Sequence, residues 1–425
     1  MPLASPVPRR ALHVLCLVAC AGASGCNAPA SDAGRVEIGW AVNAGHGVTL
    51  PMRRASGRWL VELAVTRPDG SERSVPVWLN MGAAAPILSE GLYRELGIGE
   101  GRDFRFRMGP LTVTVEGRTI VDGAGRLDGR DLLDLLFAPR QVEAVLPAGV
   151  LRAFRVVLDP RAATVTLAPP AGPRPEGVPV PIHVAPTSGV AVVEARVDGA
   201  AVPLVLDVGS PYTWMRGRTV ADWLKRHPDW YRAEGAVGRS NLAMADLPLE
   251  REGTLVRLPE LGLGPLRLTG IGVLGTGALG GRFTEAALGE VFWDAWQGGV
   301  GQTVAGWLGN NVLDDFRITL DYAAGLSHWQ RQRPTDPYDL DAAGLSLVRH
   351  GSGYAVGAVA SRHGIPLVAS IARGDRLLRV DGRPVEGMAP DAVLGALAGR
   401  PGTPRVLDID RDGTPMQVLT RADSY

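Results

Sequence analysis

The stretch VPLVLDVGSPYTW, residues 202–214, places a short apolar run and an acid, Asp207, directly before a glycine. A nearly continuous Val and Leu run of this length predicts a strand buried on both faces, and Gly209 allows a sharp turn at its end. An earlier stretch, VPVWLNMG at residues 75–82, repeats the pattern with Asn80 in the position of the acid. The two copies predict two buried strands, one ending in a carboxyl group and the other in an amide.

Two further blocks recur in the same order, so the repetition extends beyond one strand. GPLTVTVEG begins at Gly109 and GPLRLTGIG begins at Gly264. LPAGVLRAFRVVLDPRAATVTL begins at Leu146, and its counterpart LGNNVLDDFRITLDYAAGLSHW begins at Leu308. Ordered self-similarity of this kind indicates a duplicated structural unit. We predict two lobes, at residues 36–172 and 178–331, with insertions in the second.

The composition is that of a globular protein with many short strands. The chain has 425 residues, of which 46% are hydrophobic, and its 44 basic side chains balance 44 acidic ones. This length can bury more than one core, and the charge balance gives no sign of a nucleic-acid partner. With 55 glycines, 33 prolines and few aromatic residues, the chain favours a mainly β fold. The histidines show no metal-binding spacing, and we expect neither a metal nor a cofactor.

Local patterns predict individual elements within the repeats. FRVVLDP at 154–160 and FRITLDY at 316–322 alternate in polarity, so Phe154 and Phe316 should point inward and Arg155 and Arg317 outward. FTEAALGEVFWDAW at 283–296 has the apolar spacing of a helix. We expect its tryptophans to anchor that helix by burial, or alternatively to line a cleft.

All three cysteines, Cys16, Cys20 and Cys26, lie in an apolar leader that follows Arg9 and Arg10. This arrangement predicts a signal peptide over residues 1–26. The small residues before Cys20 and before Cys26 resemble a bacterial lipobox, so either cysteine could carry a lipid; an ordinary cleaved signal peptide is the alternative. We therefore expect an exported chain on the periplasmic or cell-surface side, held at the membrane only through a lipid anchor.

The sequence Asp207-Val208-Gly209-Ser210, with Trp214 four residues beyond the serine, resembles the Asp-Thr-Gly-Ser motif of aspartic peptidases. WLGNNVL at 307–313 resembles the second signature of the same clan. The resemblance implies two retropepsin-like lobes acting on polypeptide. It also implies that Asp207 is catalytic, that Gly209 forms the turn beside it and that Ser210 supports its carboxylate.

Aspartic peptidases need two carboxyl groups that share one proton, one as general base toward water and the other as proton donor. Asn80 occupies the partner position, and an amide cannot exchange a proton at neutral pH. Three interpretations remain open. The second lobe could form a homodimer in which two copies of Asp207 make the pair. The chain could be a pseudopeptidase that binds extended peptides in the cleft between the lobes, and through the PDZ-like domain, without cutting them. Asp207 alone could also support weak or unusual hydrolysis.

The chain beyond the Pro- and Asp-rich linker at 332–341 has a pattern of its own. GDRLLRVDGRPV at 374–385 resembles the most characteristic stretch of bacterial PDZ domains, and APDAVLGALAG at 389–399 resembles the helix that follows it. The resemblance implies a small α+β domain over 342–425 that adds a peptide strand to a sheet edge. The resemblance places the carboxylate-binding loop near Gly353, Tyr354 and Ala355, which are the expected peptide-binding residues. Few core contacts should cross a polar linker of this kind.

Overall fold

The computed structural model describes residues 35–40, 47–123, 130–241, 243–246, 248–277 and 283–425, and this part of the chain is mainly β. The predicted fold class is confirmed at that level. The strands are β1 (Val36–Trp40), β2 (Val48–Pro51), β3 (Arg53–Ala55), β4 (Arg58–Thr66), β5 (Glu72–Asn80), β6 (Ile87–Leu88), β7 (Phe104–Met108), β8 (Leu111–Val115), β9 (Val121–Asp122), β10 (Ala144–Pro147), β11 (Arg155–Asp159), β12 (Thr164–Ala168), β13 (Val178–Val184), β14 (Ala191–Val197), β15 (Ala200–Leu206), β16 (Trp214–Arg216), β17 (Arg232–Glu234), β18 (Thr254–Leu263), β19 (Leu266–Thr276), β20 (Gly306–Leu308), β21 (Phe316–Asp321), β22 (Leu326–Arg331), β23 (Leu345–His350), β24 (Gly353–Val359), β25 (Ser361–Arg362), β26 (Ile365–Pro366), β27 (Arg376–Val380), β28 (Arg383–Pro384), β29 (Pro404–Arg411) and β30 (Thr414–Arg421).

Short helices are inserted between these strands. They are α1 (Glu90–Glu95), α2 (Leu132–Phe137), α3 (Ala148–Leu151), α4 (Gly217–Arg226), α5 (Pro248–Arg251), α6 (Phe283–Gln297), α7 (Asn310–Leu313) and α8 (Pro390–Leu397), with 3₁₀ turns at Ile98–Glu100, Gly117–Thr119 and Gly238–Ser240. The helix predicted over 283–296 is confirmed as α6, and the insertion after Arg216 contains α4.

Two large sheets contain strands β1–β22, and the second also includes β25 and β26 from the C-terminal part of the chain. The first has the strand order β1-β8-β7-β4-β5-β10-β6-β9, with β3 beside β4. The second runs β2-β12-β11-β21-β22-β13-β14-β15-β20-β16-β19-β18-β17-β25-β26. An additional pairing of β14 with β18 closes six of its strands, β14, β15, β20, β16, β19 and β18, into a barrel-like ring.

The strands β5 and β15 are buried on both faces, as their apolar runs predict. Val77 and Leu79 of β5 pack in one hydrophobic cluster, whereas Trp78 between them packs in another. In β15, Leu204 and Val205 divide between the same two clusters. Because side chains alternate between the two faces of a strand, a strand without polar residues is stable only where both of its faces pack against a hydrophobic core.

The strands β11 and β21 join the two halves through an antiparallel pairing. Phe154 and Phe316 are buried while Arg155 and Arg317 are partly exposed, which confirms the predicted alternation. The later part of β21 is buried throughout, because β11 and β22 flank it and the guanidinium of Arg155 covers Asp321 with an ion pair of 2.7 Å.

The C-terminal residues form a third sheet, with order β23-β24-β27-β29-β30 and β28 beside β27. The segment before it is packed rather than loose. The side chain of Asp339 is 8% exposed and forms a 2.7 Å ion pair with Arg257, whose Nε also donates to the carbonyl oxygen of Tyr425. More contacts therefore cross residues 332–341 than a polar linker predicts.

Candidate functional site

Asn80 and Asp207 occupy matching positions at the ends of buried strands. Asn80 ends β5, which pairs in parallel with β10 so that Asn80 lies opposite Pro147. Asp207 follows β15, which pairs in parallel with β20, and its N–H donates to Leu308 O at 3.1 Å. In each half, a short parallel strand therefore fixes the backbone at the polar residue.

The two side chains face each other within one chain. The N–H of Gly82 donates to Asn80 Oδ1 at 2.9 Å and to Asp207 Oδ1 at 3.1 Å. Since one N–H binds both oxygens, they lie at most about 6 Å apart. The N–H of Gly209 donates to Asp207 Oδ1 at 2.8 Å, and that of Ala83 donates to Asn80 Oδ1 at 3.0 Å. This cradle holds one ionisable carboxyl and one amide.

Glycine is required on both sides of the pair because the loops approach so closely. A Cβ atom at Gly82 would lie 2.8 Å from Asp207 Oδ2, and one at Gly209 would lie 2.6 Å from Asn80 Cγ. Both separations are shorter than a van der Waals contact. The glycine predicted to form the turn at 209 therefore also makes room for the side chain opposite.

Burial dominates the electrostatics of the carboxyl group. Asp207 is 5% exposed, and its pKa is raised to about 6, chiefly because burial penalises the charged form. The N–H groups of Gly209, Gly82 and Met81 and the charge of Arg58 act in the opposite direction. Asp207 therefore titrates near neutrality rather than in the ordinary range for an aspartate.

Arg58 is the buried cation of the site and was not among the residues predicted from sequence. Its side chain is 1% exposed, donates from Nη1 to Ser56 O at 2.9 Å, and lies 5.5 Å from the ring centroids of Trp78 and Phe137. Burial lowers its pKa to about 9, against the charges of Glu250 and Asp207. The one sequence signal for it is a cation at the start of the apolar run RWLVELAV.

A small cavity of about 50 Å³ lies beside the pair. Its aromatic walls are Trp78, Trp214, Trp296 and Trp307. A volume of this size holds a few water molecules at most, and all the lining residues are buried. The cavity as it stands cannot contain an extended polypeptide.

Two structural segments complete the walls of this cavity. Helix α2 contributes Leu132 and Leu136 from the first half of the chain. The second half contributes Ala243, and Leu249 from α5. Of the tryptophans in α6, Trp293 is fully buried and Trp296 lines the cavity, so both expectations for that helix hold.

The hydroxyl of Ser210 does not point toward the carboxylate. It donates to Tyr212 O at 2.6 Å, so the expected support from this side chain is replaced by a bond within the turn. The residues of the second signature instead brace the turn. Asn310 Nδ2 donates to Val208 O at 2.9 Å, and Asn311 Oδ1 accepts from both the N–H and the hydroxyl of Thr213 at 2.8 Å.

The predicted peptide-binding residues lie in β24 of the third sheet. Tyr354 and Ala355 pair with β23 on one side and with β27 on the other, so a peptide strand cannot be added at these two residues. Gly353 and Tyr354 do line a groove of about 820 Å³, together with His350, Arg376 and other residues of the sheet. The resemblance places a peptide-binding loop at these residues, whereas in the structure they belong to a strand inside the sheet.

The leader with Cys20 and Cys26 lies outside the described residues. Within the described ranges, no group of three or more His, Cys, Asp or Glu side chains is placed to hold a metal ion. No helix in the same ranges is both long and apolar enough to cross a membrane.

Comparison with known proteins gives a weak structural likeness. No protein-family model and no curated protein matches the chain. Among solved structures, basic 7S globulin from soybean is similar over 67% of this chain and 95% of its own, with a TM-score of 0.34 and 10% sequence identity.

Proposed function

We propose that this protein is an exported, two-lobed relative of the aspartic peptidases that binds polypeptide without cleaving it. The observation that carries the proposal is the Gly82 N–H, which binds Asn80 and Asp207 together in one chain. An internal site of this kind contains a single carboxyl group. It lacks the second carboxyl, so no group is left to donate a proton to the peptide carbonyl oxygen while Asp207 acts as base toward water.

The duplication into lobes is supported by hydrogen bonds that recur at matching positions. Ala148 N donates to Ala83 O at 2.9 Å in the first half, and Asn310 N donates to Ser210 O at 2.9 Å in the second. In the aligned repeats, Ala83 corresponds to Ser210 and Ala148 corresponds to Asn310. Each pair joins the loop after the buried strand to the start of a short helix, α3 or α7.

A PDZ-like assignment for the C-terminal sheet is supported by its turn and helix. Asp381 and Gly382 join β27 to β28 with φ angles of 49° and 76°, which is the conformation that an Asp-Gly hairpin turn adopts. Helix α8 follows at Pro390–Leu397. We assign polypeptide binding to the groove beside Gly353 and Tyr354, since it is far larger than the cavity beside Asp207.

The remaining parts of the proposal come from the sequence. Export and a lipid anchor at Cys20 or Cys26 follow from the leader. The neutral charge balance argues against a nucleic-acid partner, and the proposed chemistry requires no cofactor. Homodimerisation through two copies of Asp207 is the competing arrangement, and the experiment below distinguishes it.

The experiment measures cleavage and binding of casein, an unfolded polypeptide, from pH 3 to pH 7 at two protein concentrations. We expect no cleavage by the parent or by Asp207→Asn, and measurable binding by both. Cleavage by the parent that Asp207→Asn abolishes would refute the proposal. A specific activity that falls on dilution would then indicate a site shared between chains, and a constant one would indicate hydrolysis by Asp207 alone.

A matched pair of arginine variants locates the binding. Arg376→Glu changes an exposed residue in the wall of the groove, and Arg383→Glu makes the same change at an exposed residue outside it. We expect Arg376→Glu to weaken casein binding severalfold and Arg383→Glu to leave it unchanged. Equal affinities for the two variants would contradict binding in the groove.

A further inference from the structure

Arg349, in β23, connects the C-terminal sheet to one wall of the Asp207 cavity. Its guanidinium donates from Nη1 to Ala138 O at 2.6 Å and from Nη2 to Leu136 O at 3.3 Å. These carbonyl groups lie at the C-terminal end of α2, where a helix leaves its last carbonyl groups without partners. The same helix places Leu132 and Leu136 against the cavity.

The backbone of β23 holds a second segment of the cavity wall, around Ala243. The N–H of Arg349 donates to Met244 O at 2.8 Å, and the N–H of Leu347 donates to Asn241 Oδ1 at 2.8 Å. Met244 is 2% exposed and packs in the hydrophobic core of the C-terminal sheet, whereas its neighbour Ala243 lines the cavity. One strand of the third sheet therefore binds both segments that close the cavity.

The proposed polypeptide groove begins at the next residue along the chain. His350 and Gly351 line it, and Gly351 O accepts from Arg130 Nη2 at 3.3 Å, close to the start of α2. Arg130 thus joins the loop that lines the groove to the start of α2, and Arg349 joins the adjoining strand β23 to the end of the same helix. Movement of this loop would be transmitted directly to the cavity wall.

We infer that Arg349 is a clasp through which the C-terminal sheet keeps the Asp207 cavity closed, and that polypeptide bound in the groove beside it releases the clasp. The second half of this inference rests on the proposed function, because it takes the groove to be a polypeptide site. The first half depends only on the contacts of Arg349. The clasp acts on access to the cavity and makes no contact with Asp207 itself.

The test is the labelling rate of a cysteine introduced into the cavity wall. Beyond the leader the chain contains no cysteine, so the full chain with Cys16, Cys20 and Cys26 changed to serine gives a background without thiols. Ala243→Cys in this background reports opening of the cavity to a small methanethiosulfonate reagent. Ala195→Cys, at a fully buried position of β14, reports general unfolding.

We expect Arg349→Ala to raise the labelling rate at position 243 about tenfold or more, because it removes both hydrogen bonds of the guanidinium. The rate at position 195 should stay unchanged. Arg349→Lys keeps the charge but places its donors on a single nitrogen, which cannot match the fork of the guanidinium, and it should give an intermediate rate. This variant carries the test if the alanine variant does not fold. An unchanged rate at position 243, or equal increases at both positions, would overturn the clasp.

Casein tests the second half of the inference. In the parent, casein should raise labelling at position 243, and in Arg349→Ala it should add little further. Casein that binds without changing the rate would overturn release by the groove. Absence of casein binding would refute the proposed function instead, and the Arg349 variants would still decide whether the clasp exists.

Discussion

Replacing Asp207 with asparagine should make the fold more stable near neutral pH and remove part of its pH dependence. The substitution keeps a carbonyl oxygen that can accept from the N–H groups of Gly82 and Gly209, which now donate to Asp207 Oδ1 at 3.1 and 2.8 Å. It removes the charge that forms when the buried carboxyl ionises. The variant therefore tests the electrostatics of the site with little change in its shape.

The magnitude follows from the pKa. Burial raises the pKa of Asp207 from its ordinary value of 3.8 to about 6, so the native state binds the proton more tightly than the unfolded chain does. Stability contributed by the protonated form is complete below pH 3.8 and is lost as pH rises through 6. At 1.36 kcal/mol for each pKa unit, the parent loses about 3 kcal/mol between these limits. The variant should not show this loss.

The measurement is the free energy of unfolding in urea at pH 3.5, 5 and 7, followed by the fluorescence of the cavity tryptophans. We expect the difference between Asp207→Asn and the parent to grow by about 3 kcal/mol in favour of the variant between pH 3.5 and pH 7. Asp229→Asn, at an exposed position, is the control and should follow the parent. A difference that is constant with pH would refute the argument, and one that grows in favour of the parent would show that the fold requires the charged carboxylate.

Three further substitutions test the surroundings of the site. Gly209→Ala should lower the free energy of unfolding in urea by about 1–3 kcal/mol, because its Cβ would lie 2.6 Å from Asn80 Cγ. The control Gly395→Ala, which has open space around it in α8, should be neutral or slightly stabilising in the same assay. Arg216→Met should destabilise the folded chain by about 3 kcal/mol, because the buried guanidinium of Arg216 pairs with Glu290 and Asp294 from α6. Arg218→Met, at a largely exposed position, should cost under about 1 kcal/mol in the same assay. Ending the chain at Pro337 should lower the melting temperature of the remainder, because Arg257 would lose its ion pair with Asp339 and its hydrogen bond to Tyr425 O. An unchanged melting temperature would show that the contacts across residues 332–341 do not stabilise the fold.

The sequence predicts best those features that depend on residues close together along the chain. The apolar runs before Asn80 and Asp207 predict strands buried on both faces, because alternation leaves no face for solvent. The repeated blocks also indicated that these two residues are equivalent, and the structure places them opposite each other. Helix α6 was predicted from apolar spacing alone.

What the sequence did not predict depends on contacts between distant segments. The cavity forms only where α2 meets the segment that carries Ala243 and Leu249, and no local pattern in the sequence shows that these segments meet. Arg349 lies more than 200 residues from the carbonyl groups it binds, and in sequence it is one arginine of many. The loop expected at Gly353–Ala355 illustrates the same limit, because no local pattern shows that this segment is a strand paired on both sides.

The acid at position 207 is not required for the stability of the fold, as a comparison with Asn80 indicates. An amide at position 80 accepts the N–H groups of Gly82 and Ala83 without any charge, and an amide at position 207 could accept those of Gly82 and Gly209 in the same way. The raised pKa of the carboxyl at position 207 instead predicts a loss of about 3 kcal/mol of stability near neutral pH. Stability therefore gives no reason for an acid there. Groups held at such a cost to the fold are concentrated at functional sites, so a single carboxyl in a closed cavity is better explained by a role that begins when the cavity opens.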